Sequence, residues 1–228
     1  MKKLLLLSLI ACSGALVARA APSESDRPEY ISRVESCEAI LQEFMASPAT
    51  AIPTQVLQSA HALVIVNQFK AGFFLGIKDG YGVILVKRSD GRWSLPVLVS
   101  AGEISLGFQV GANSVETVMV ITDDQTPRKL FNQRFNVGVD AKAVADPKAA
   151  EVEKNNREII TAPVLVYTKA AGLYAGATVK AGWLQRNDAI NFVLYKTSYT
   201  MPELLYSNWV NPIPEVAPLM SYVQRIAP

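Results

Sequence analysis

Two Asp-Gly pairs, Asp79-Gly80 and Asp90-Gly91, stand between short apolar runs and constrain this chain more than any other feature. Such a pair favours a two-residue reversal, because the turn needs a positive φ that glycine adopts without a Cβ clash. Residues 72–77, 81–88 and 93–100 therefore read as three consecutive antiparallel strands, with Lys78-Asp79-Gly80 and Ser89-Asp90-Gly91 as their turns. Residues 62–66 (ALVIV) precede them as a continuous apolar strand. Further strands are predicted at 106–110, 117–121, 135–139, 164–168, 173–181 and 190–195. Gly72 and Gly76 offer places where a sheet curves into a barrel, and Gly80 reads as a turn glycine.

Helical spacing occurs mainly before the strands. Ile31, Val34, Cys37, Ile40, Leu41 and Phe44 fall on one helical face, with Asp26 as N-cap, Glu29 three residues on, and Ser47-Pro48 as the stop. The remaining face is acidic, which suits a helix packed on a core better than one lying on a membrane. Short helices are predicted at 53–60, 126–132 and 216–225, while 148–158 is charged and reads as helix or loop. The fold class is α+β: an antiparallel β-meander or barrel-like sheet with an N-terminal amphipathic helix and short flanking helices.

The N-terminus has its own logic. Met1-Lys2-Lys3, the apolar run LLLLSLIA and Ala18-Arg19-Ala20 form the basic, hydrophobic and small-x-small parts of an export signal. The domain reading is a signal peptide over 1–20, a leader and helix over 21–52, and a β-rich domain with a C-terminal extension over 53–228. The expected location is the periplasm or cell envelope. Leu9-Ile10-Ala11-Cys12 also resembles a lipobox, which would leave a lipid anchor at Cys12. The whole chain has 228 residues and a formal charge of +2. Removing Met1–Ala20 takes away Lys2, Lys3, Arg19 and no acid, so the remaining 208 residues carry about −1. That balance argues against a nucleic-acid partner.

Catalytic motifs are missing from the sequence. There is no H-E-x-x-H, C-x-x-C or Walker lysine, and no cofactor or metal is expected. The mature chain keeps one cysteine, Cys37, which reads as a packed core thiol. Its one histidine, His61, reads as structural, and Asp123-Asp124 as a solvated turn. A lipid or glycan hydrolase would need Ser94 or Ser105 beside His61.

A charge-poor, β-rich chain suits a ligand with an apolar part and a phosphate. Lys87, Arg88 and Arg92 flank one hairpin turn, and Lys70, Lys169 and Lys180 adjoin glycine-rich strands. Phe73, Phe74, Trp93 and Tyr174 are the aromatic candidates for the apolar part, joined by Trp183.

The segment 70–100, KAGFFLGIKDGYGVILVKRSDGRWSLPVLVS, resembles the signature of the SYLF domain family, including Trp93-Ser94-Leu95-Pro96. GFQVGANSVETVMVI (107–121), 135–140, KAAGLYAGATVKAG (169–182) and the closing Asn191–Tyr195 pair resemble the family's later blocks in the same order. The resemblance implies phospholipid or phosphoinositide binding, and actin binding in some eukaryotic members. Export sets actin aside as an expected partner and leaves a phospholipid or membrane surface. A second expectation is an envelope protein-interaction module that docks through the helix face 31–44.

Overall fold

A computed structural model of the chain describes residues 21–48, 51–71, 77–103, 114–131, 134–136, 143–145, 163–170, 173–174 and 182–228. The 1–20 segment predicted as an export signal, Cys12, Ser105, the strand predicted at 106–110 and the segment 148–158 lie outside them.

Helix α1 (Arg27–Ala46) forms where the apolar spacing predicts it and buries Val34, Cys37, Ile40, Leu41 and Phe44. Asp26 does begin it, but the capping box lies one step earlier. The Asp26 carboxylate accepts from the backbone N–H (2.8 Å) and hydroxyl (3.0 Å) of Ser23, closing a 3-10 turn at Glu24–Asp26. Cys37 is fully buried, its Sγ 3.7 Å from the Ile65 carbonyl, and burial pushes its thiol up to about 12. A protonated, enclosed thiol of that kind is inert.

The strands β1 (Ala62–Ala71), β2 (Ile77–Val86), β3 (Val97–Glu103) and β4 (Ser114–Ile121) form the centre of the sheet. Beyond them come β5 (Phe135–Asn136), β6 (Ala143–Ala145), β7 (Val164–Ala170), β8 (Leu173–Tyr174) and β9 (Gly182–Arg186). The order across the sheet is β5-β9-β3-β2-β1-β4-β7-β6, with β8 on β7. Pairing is antiparallel except for β6, which runs parallel to β7 with Val144 opposite Leu165.

The first Asp-Gly pair is not a turn. Lys78, Asp79 and Gly80 lie inside β2, opposite Lys70, Phe69 and Gln68 of β1, and Ala71 pairs with Ile77. Backbone pairing on both sides of β2 outweighs the local turn preference. Gly80 is needed there for a different reason: a Cβ would stand 2.8 Å from the Asn67 carbonyl oxygen. The second pair does turn. Gly91 has φ +78°, Arg88 N–H donates to Arg92 O at 2.9 Å, and Gly91 N–H to Arg88 O at 2.9 Å.

Short helices α2 (Thr54–Gln58) and α3 (Thr126–Lys129) fall inside their predicted windows. The strand predicted at 190–195 is instead helix α4 (Asp188–Tyr195). Its buried residues Ile190, Asn191, Leu194 and Tyr195 follow a helical period, which a short apolar run conceals. Helix α5 (Met201–Tyr206), unexpected in the proline-rich tail, starts with a capping box in which the Glu203 carboxylate accepts from the backbone N–H (2.7 Å) and hydroxyl (2.8 Å) of Thr200. A 3-10 turn at Pro214–Val216 leads into α6 (Ala217–Ile226).

The closing Asn191 and Tyr195 share one face of α4 and fasten it to the entry of β3. Asn191 Nδ2 donates to Leu98 O (2.8 Å) and to Asn187 O (2.8 Å), while its Oδ1 accepts from Leu98 N–H (2.9 Å). The Tyr195 hydroxyl donates to Pro96 O at 2.5 Å. The amide of Asn191 thus completes Leu98 as a neighbouring strand would. Asn191→Ala orphans a buried donor and a buried acceptor, and should lower unfolding free energy by about 3 kcal/mol in urea denaturation.

Candidate functional site

Of the eleven residues singled out in sequence, Phe73, Phe74 and Lys180 lie outside the described structure, and Trp183 pairs with Gly102 of β3 at the Lys70 end of the sheet. The others fall at two ends of the sheet. Lys70 belongs to the last turn-ward part of β1, and Lys169 pairs with Tyr174 of β8 at that same end. Lys87, Arg88, Arg92 and Trp93 lie beyond Val86, which pairs with the first residue of β1, Ala62. A ten-residue strand rises about 3.3 Å per residue, so the two groups are separated by about 30 Å along β1. They do not converge on one ligand.

Lys169 is directed inward. Its side chain is 5% exposed, its ammonium pairs with Glu43 of α1 at 2.5 Å, and it lies 5.4 Å from the centre of the Phe44 ring. It ties α1 to the sheet. Glu116, opposite Lys169 in the ladder, is pushed up by burial and by Glu43, with Lys169 opposing.

The turn end is held by the C-terminal segment. Trp93 is 3% exposed, and its indole Nε1 donates to Ala227 O at 2.7 Å. Lys87 Nζ donates to the Pro228 carbonyl. Arg88 donates from Nε to Leu205 O (3.1 Å) and from Nη2 to Leu204 O (3.4 Å), satisfying carbonyls at the end of α5. Burial lowers the Arg88 guanidinium from its usual range, with neighbouring Arg92 adding to this and Asp90 opposing it. Arg92 remains outward, 73% exposed, and pairs with Asp90 at 2.8 Å. Ser94 is fully buried between Val86 and Leu95, its Oγ accepting from Val86 N–H at 3.0 Å and donating to Leu95 O at 2.9 Å. The only partner these bonds give it is the hairpin backbone, so it is not placed as a nucleophile for His61.

Arg88 stands between two clefts. One, about 320 Å³, is lined by Arg88, Arg92, Trp93 and Leu95 of the hairpin, by Asn208, Val210, Asn211 and Pro212 of the tail, and by Met220. Beside this segment is Trp209, which at 62% is the one exposed large hydrophobic side chain among the described residues. Its ring lies 5.3 Å from that of Tyr199. The second cleft, about 420 Å³, carries several charged side chains and is lined by His61, Lys87, Arg88, Ser89, Asp124, Arg128 and Tyr206, together with Gln58 and Ala60. His61 Nδ1 is 2.8 Å from Asp124 Oδ1, and the Arg128 guanidinium lies 4.5 Å above the Tyr206 ring. Arg128, Tyr206 and Trp209 escape a sequence search because they are 35 or more positions from the Lys87–Trp93 hairpin and carry no motif of their own.

Asp123 and Asp124 divide their work. Asp124 lines the second cleft, whereas Asp123 caps the turn into α3: its Oδ1 accepts from Gln125 N–H and Thr126 N–H (both 2.7 Å) and its Oδ2 from the Thr126 hydroxyl (2.7 Å). Partial burial would raise the Asp123 carboxyl, but those hydrogen bonds and Lys129 outweigh it and hold the group below its ordinary value. Among the described residues no cluster of metal ligands occurs, and no helix is long and apolar enough to cross a membrane.

Residues 102–226 match the family described as Ysc84, Las17-binding protein actin regulator. The chain belongs to this family, the SYLF family of the sequence resemblance. An SH3 domain-containing protein of Schizosaccharomyces pombe is 31% identical over 71% of this chain and 38% of its own length. The LAS seventeen-binding protein 3 of Saccharomyces cerevisiae is 28% identical over 77% of this chain and 39% of its length. The SH3 domain-containing YSC84-like protein 1 of Homo sapiens is 24% identical over 79% of this chain and 55% of its length. The chain thus spans between about two fifths and about half of these relatives. The Saccharomyces cerevisiae relative is by its name a binding protein, and nothing in the match supports setting actin aside.

The depressed Asp123 carboxyl contributes stability above the ordinary aspartate range near 4, and that contribution is lost as pH falls through the lower folded-state value. Asp123→Ala should therefore cost about 1 kcal/mol at pH 6 and clearly less at pH 3, read by urea denaturation of both proteins at each pH.

Proposed function

We propose that the protein is an exported, non-catalytic binder of phospholipid in the cell envelope, acting through the cleft between the Arg92 hairpin and the 208–212 segment. The observation that carries this reading is the combination of guanidinium groups and apolar side chains around one opening, with Trp209 exposed beside it. Arginine meets phosphate through charge-assisted hydrogen bonds, and tryptophan favours the boundary between apolar and wet regions. The phospholipid binding that the SYLF resemblance implies supports the same reading, and the basic, apolar and small-x-small parts of the 1–20 segment support export.

In this reading Arg92 and Trp209 carry the contact, while Trp93, Lys87 and Lys169 hold the fold that presents them. Flotation with phosphatidylglycerol vesicles tests it. The wild type should float, and Arg92→Glu and Trp209→Ser should each reduce the bound fraction several-fold without changing thermal stability. A folded protein that floats with neither anionic nor neutral vesicles overturns the reading. Export is tested separately: N-terminal sequencing of protein purified from its source should begin at Ala21. A lipid-modified start at Cys12 would replace the soluble product by an anchored one, and an intact Met1 would end the export reading.

A protein-interaction module is the second reading, favoured by the family's description as a Las17-binding actin regulator. The apolar face of α1 is already spent on the core, so docking would use other surfaces. Co-sedimentation with filamentous actin separates this reading from lipid binding.

A further inference from the structure

A line of polar side chains crosses the sheet, and only part of it is spent on the fold. Gln185 (β9), Ser100 (β3), Tyr81 (β2), Asn67 (β1), Glu116 (β4) and Lys169 (β7) stand opposite one another in turn, so they share one face. The neighbouring row on that face is apolar: Leu98, Val83, Ile65, Val118 and Tyr167 are all buried. The polar line is therefore the border of the dry core. Helix α1 takes its middle and one end. Ser36 Oγ accepts from the Tyr81 hydroxyl (3.1 Å) and Asn67 Nδ2 (3.4 Å), and Glu43 accepts from Lys169.

The β9 end is left open. Gln185 is exposed, and Ser100 Oγ accepts from Asn187 Nδ2 at 3.2 Å, which leaves its own O–H to give. Trp183, two residues along β9 from Gln185, lies on the same face. Its indole rests over Gly102, where an added Cβ would come 2.5 Å from the ring, and the Arg134 guanidinium stacks 4.0 Å from the ring centre. Glycine at 102 thus makes room for the ring, and the ring positions the guanidinium. Among the described residues no hydrogen bond or ion pair engages Arg134 or Gln185. The corner therefore offers one planar cation with a carboxamide and a hydroxyl beside it. The nearest charges on the line, Glu116 and Lys169, are four and five strands from Gln185. A lone guanidinium suits a single negative charge and takes a carboxylate through two parallel N–H bonds, while a carboxamide and a hydroxyl both donate and accept, as sugar hydroxyls do. We propose that the Arg134–Trp183–Gln185 corner binds a sugar acid, with Arg134 on its carboxylate and Gln185 and Ser100 on its hydroxyls. The site lies toward the Lys70 end of the sheet, away from the Arg92 cleft, and does not depend on the membrane reading. A free uronic acid and a uronic acid unit of a glycan offer the same chemistry.

Isothermal titration of the full chain compares D-galacturonate with D-galactose, which lacks the carboxylate, and with acetate, which lacks the hydroxyls, at equal ionic strength. Galacturonate should bind at least about tenfold more tightly than either. Arg134→Gln should weaken it about tenfold and Gln185→Ala about threefold. Arg134→Lys keeps the charge but loses the planar fork, and should weaken binding nearly as much as Arg134→Gln. Arg92→Gln should leave it unchanged. Arg134 and Gln185 are exposed, so their variants should keep wild-type melting temperatures. Acetate or galactose binding as tightly as galacturonate, or affinity unaltered by Arg134→Gln, overturns the proposal. So does a blocked Gly-Glu-Gly peptide that binds more tightly than galacturonate, which would assign the corner to an acidic protein partner. Oligogalacturonate distinguishes the source: tighter binding than the monomer supports a glycan chain, and equal binding supports the free acid.

Discussion

Everything in this structure depends on β1 being paired along both edges. Ala62–Phe69 pair with β4 while Ala62–Ala71 pair with β2, so the strand's backbone donors and acceptors are consumed within the sheet. Both of its side-chain faces are closed over Ala62–Val66, each residue at most 1% exposed. This explains the uninterrupted apolar run ALVIV, since a strand with one wet face would alternate. It also explains glycine in β2. Close approach of β1 leaves no room for a Cβ at Gly80 or Gly82, where one would come within 2.8 Å and 2.6 Å of β1 carbonyl oxygens.

The clefts follow from the way the tail returns to this sheet. Trp93, Lys87 and Arg88 all give side-chain hydrogen bonds to carbonyls between Leu204 and Pro228, more than a hundred positions away. These contacts bring α5 and the 208–212 segment against the second hairpin, and the spaces left on either side of Arg88 are the two clefts. Arg88 is thereby a structural residue and a cleft wall at once. Different partners face the two clefts: Val210, Pro212 and Met220 in one, His61, Asp124 and Arg128 in the other.

Much of the fold was legible in sequence, and the misreadings share one cause. Helix α1, β1 and the Asp90-Gly91 turn follow from local pattern, because apolar period and glycine chemistry agree with the final packing there. Asp79-Gly80 and residues 190–195 failed because a local signal met a stronger distant partner: β1 for the first, and the backbone of Leu98 and Pro96 for the second. At the candidate site, sequence identified the Lys87–Arg88–Arg92 cluster but assigned Trp93 and Lys169 to a ligand, whereas the tail and Glu43 occupy them. Arg128, Tyr206 and Trp209 gave no local signal, since their significance comes only from what they face.

The sequence by itself determined the class: an α+β chain of the SYLF family, with a β-rich centre, a helix before it and no recognisable catalytic motif. These properties rest on periodicity and residue type, which are local. Only the tertiary structure decided which cations are spent inside and which line a cleft. A lysine in sequence has a charge but no partner, and whether Glu43, Pro228 or a ligand receives its N–H groups depends on chain segments brought together by folding.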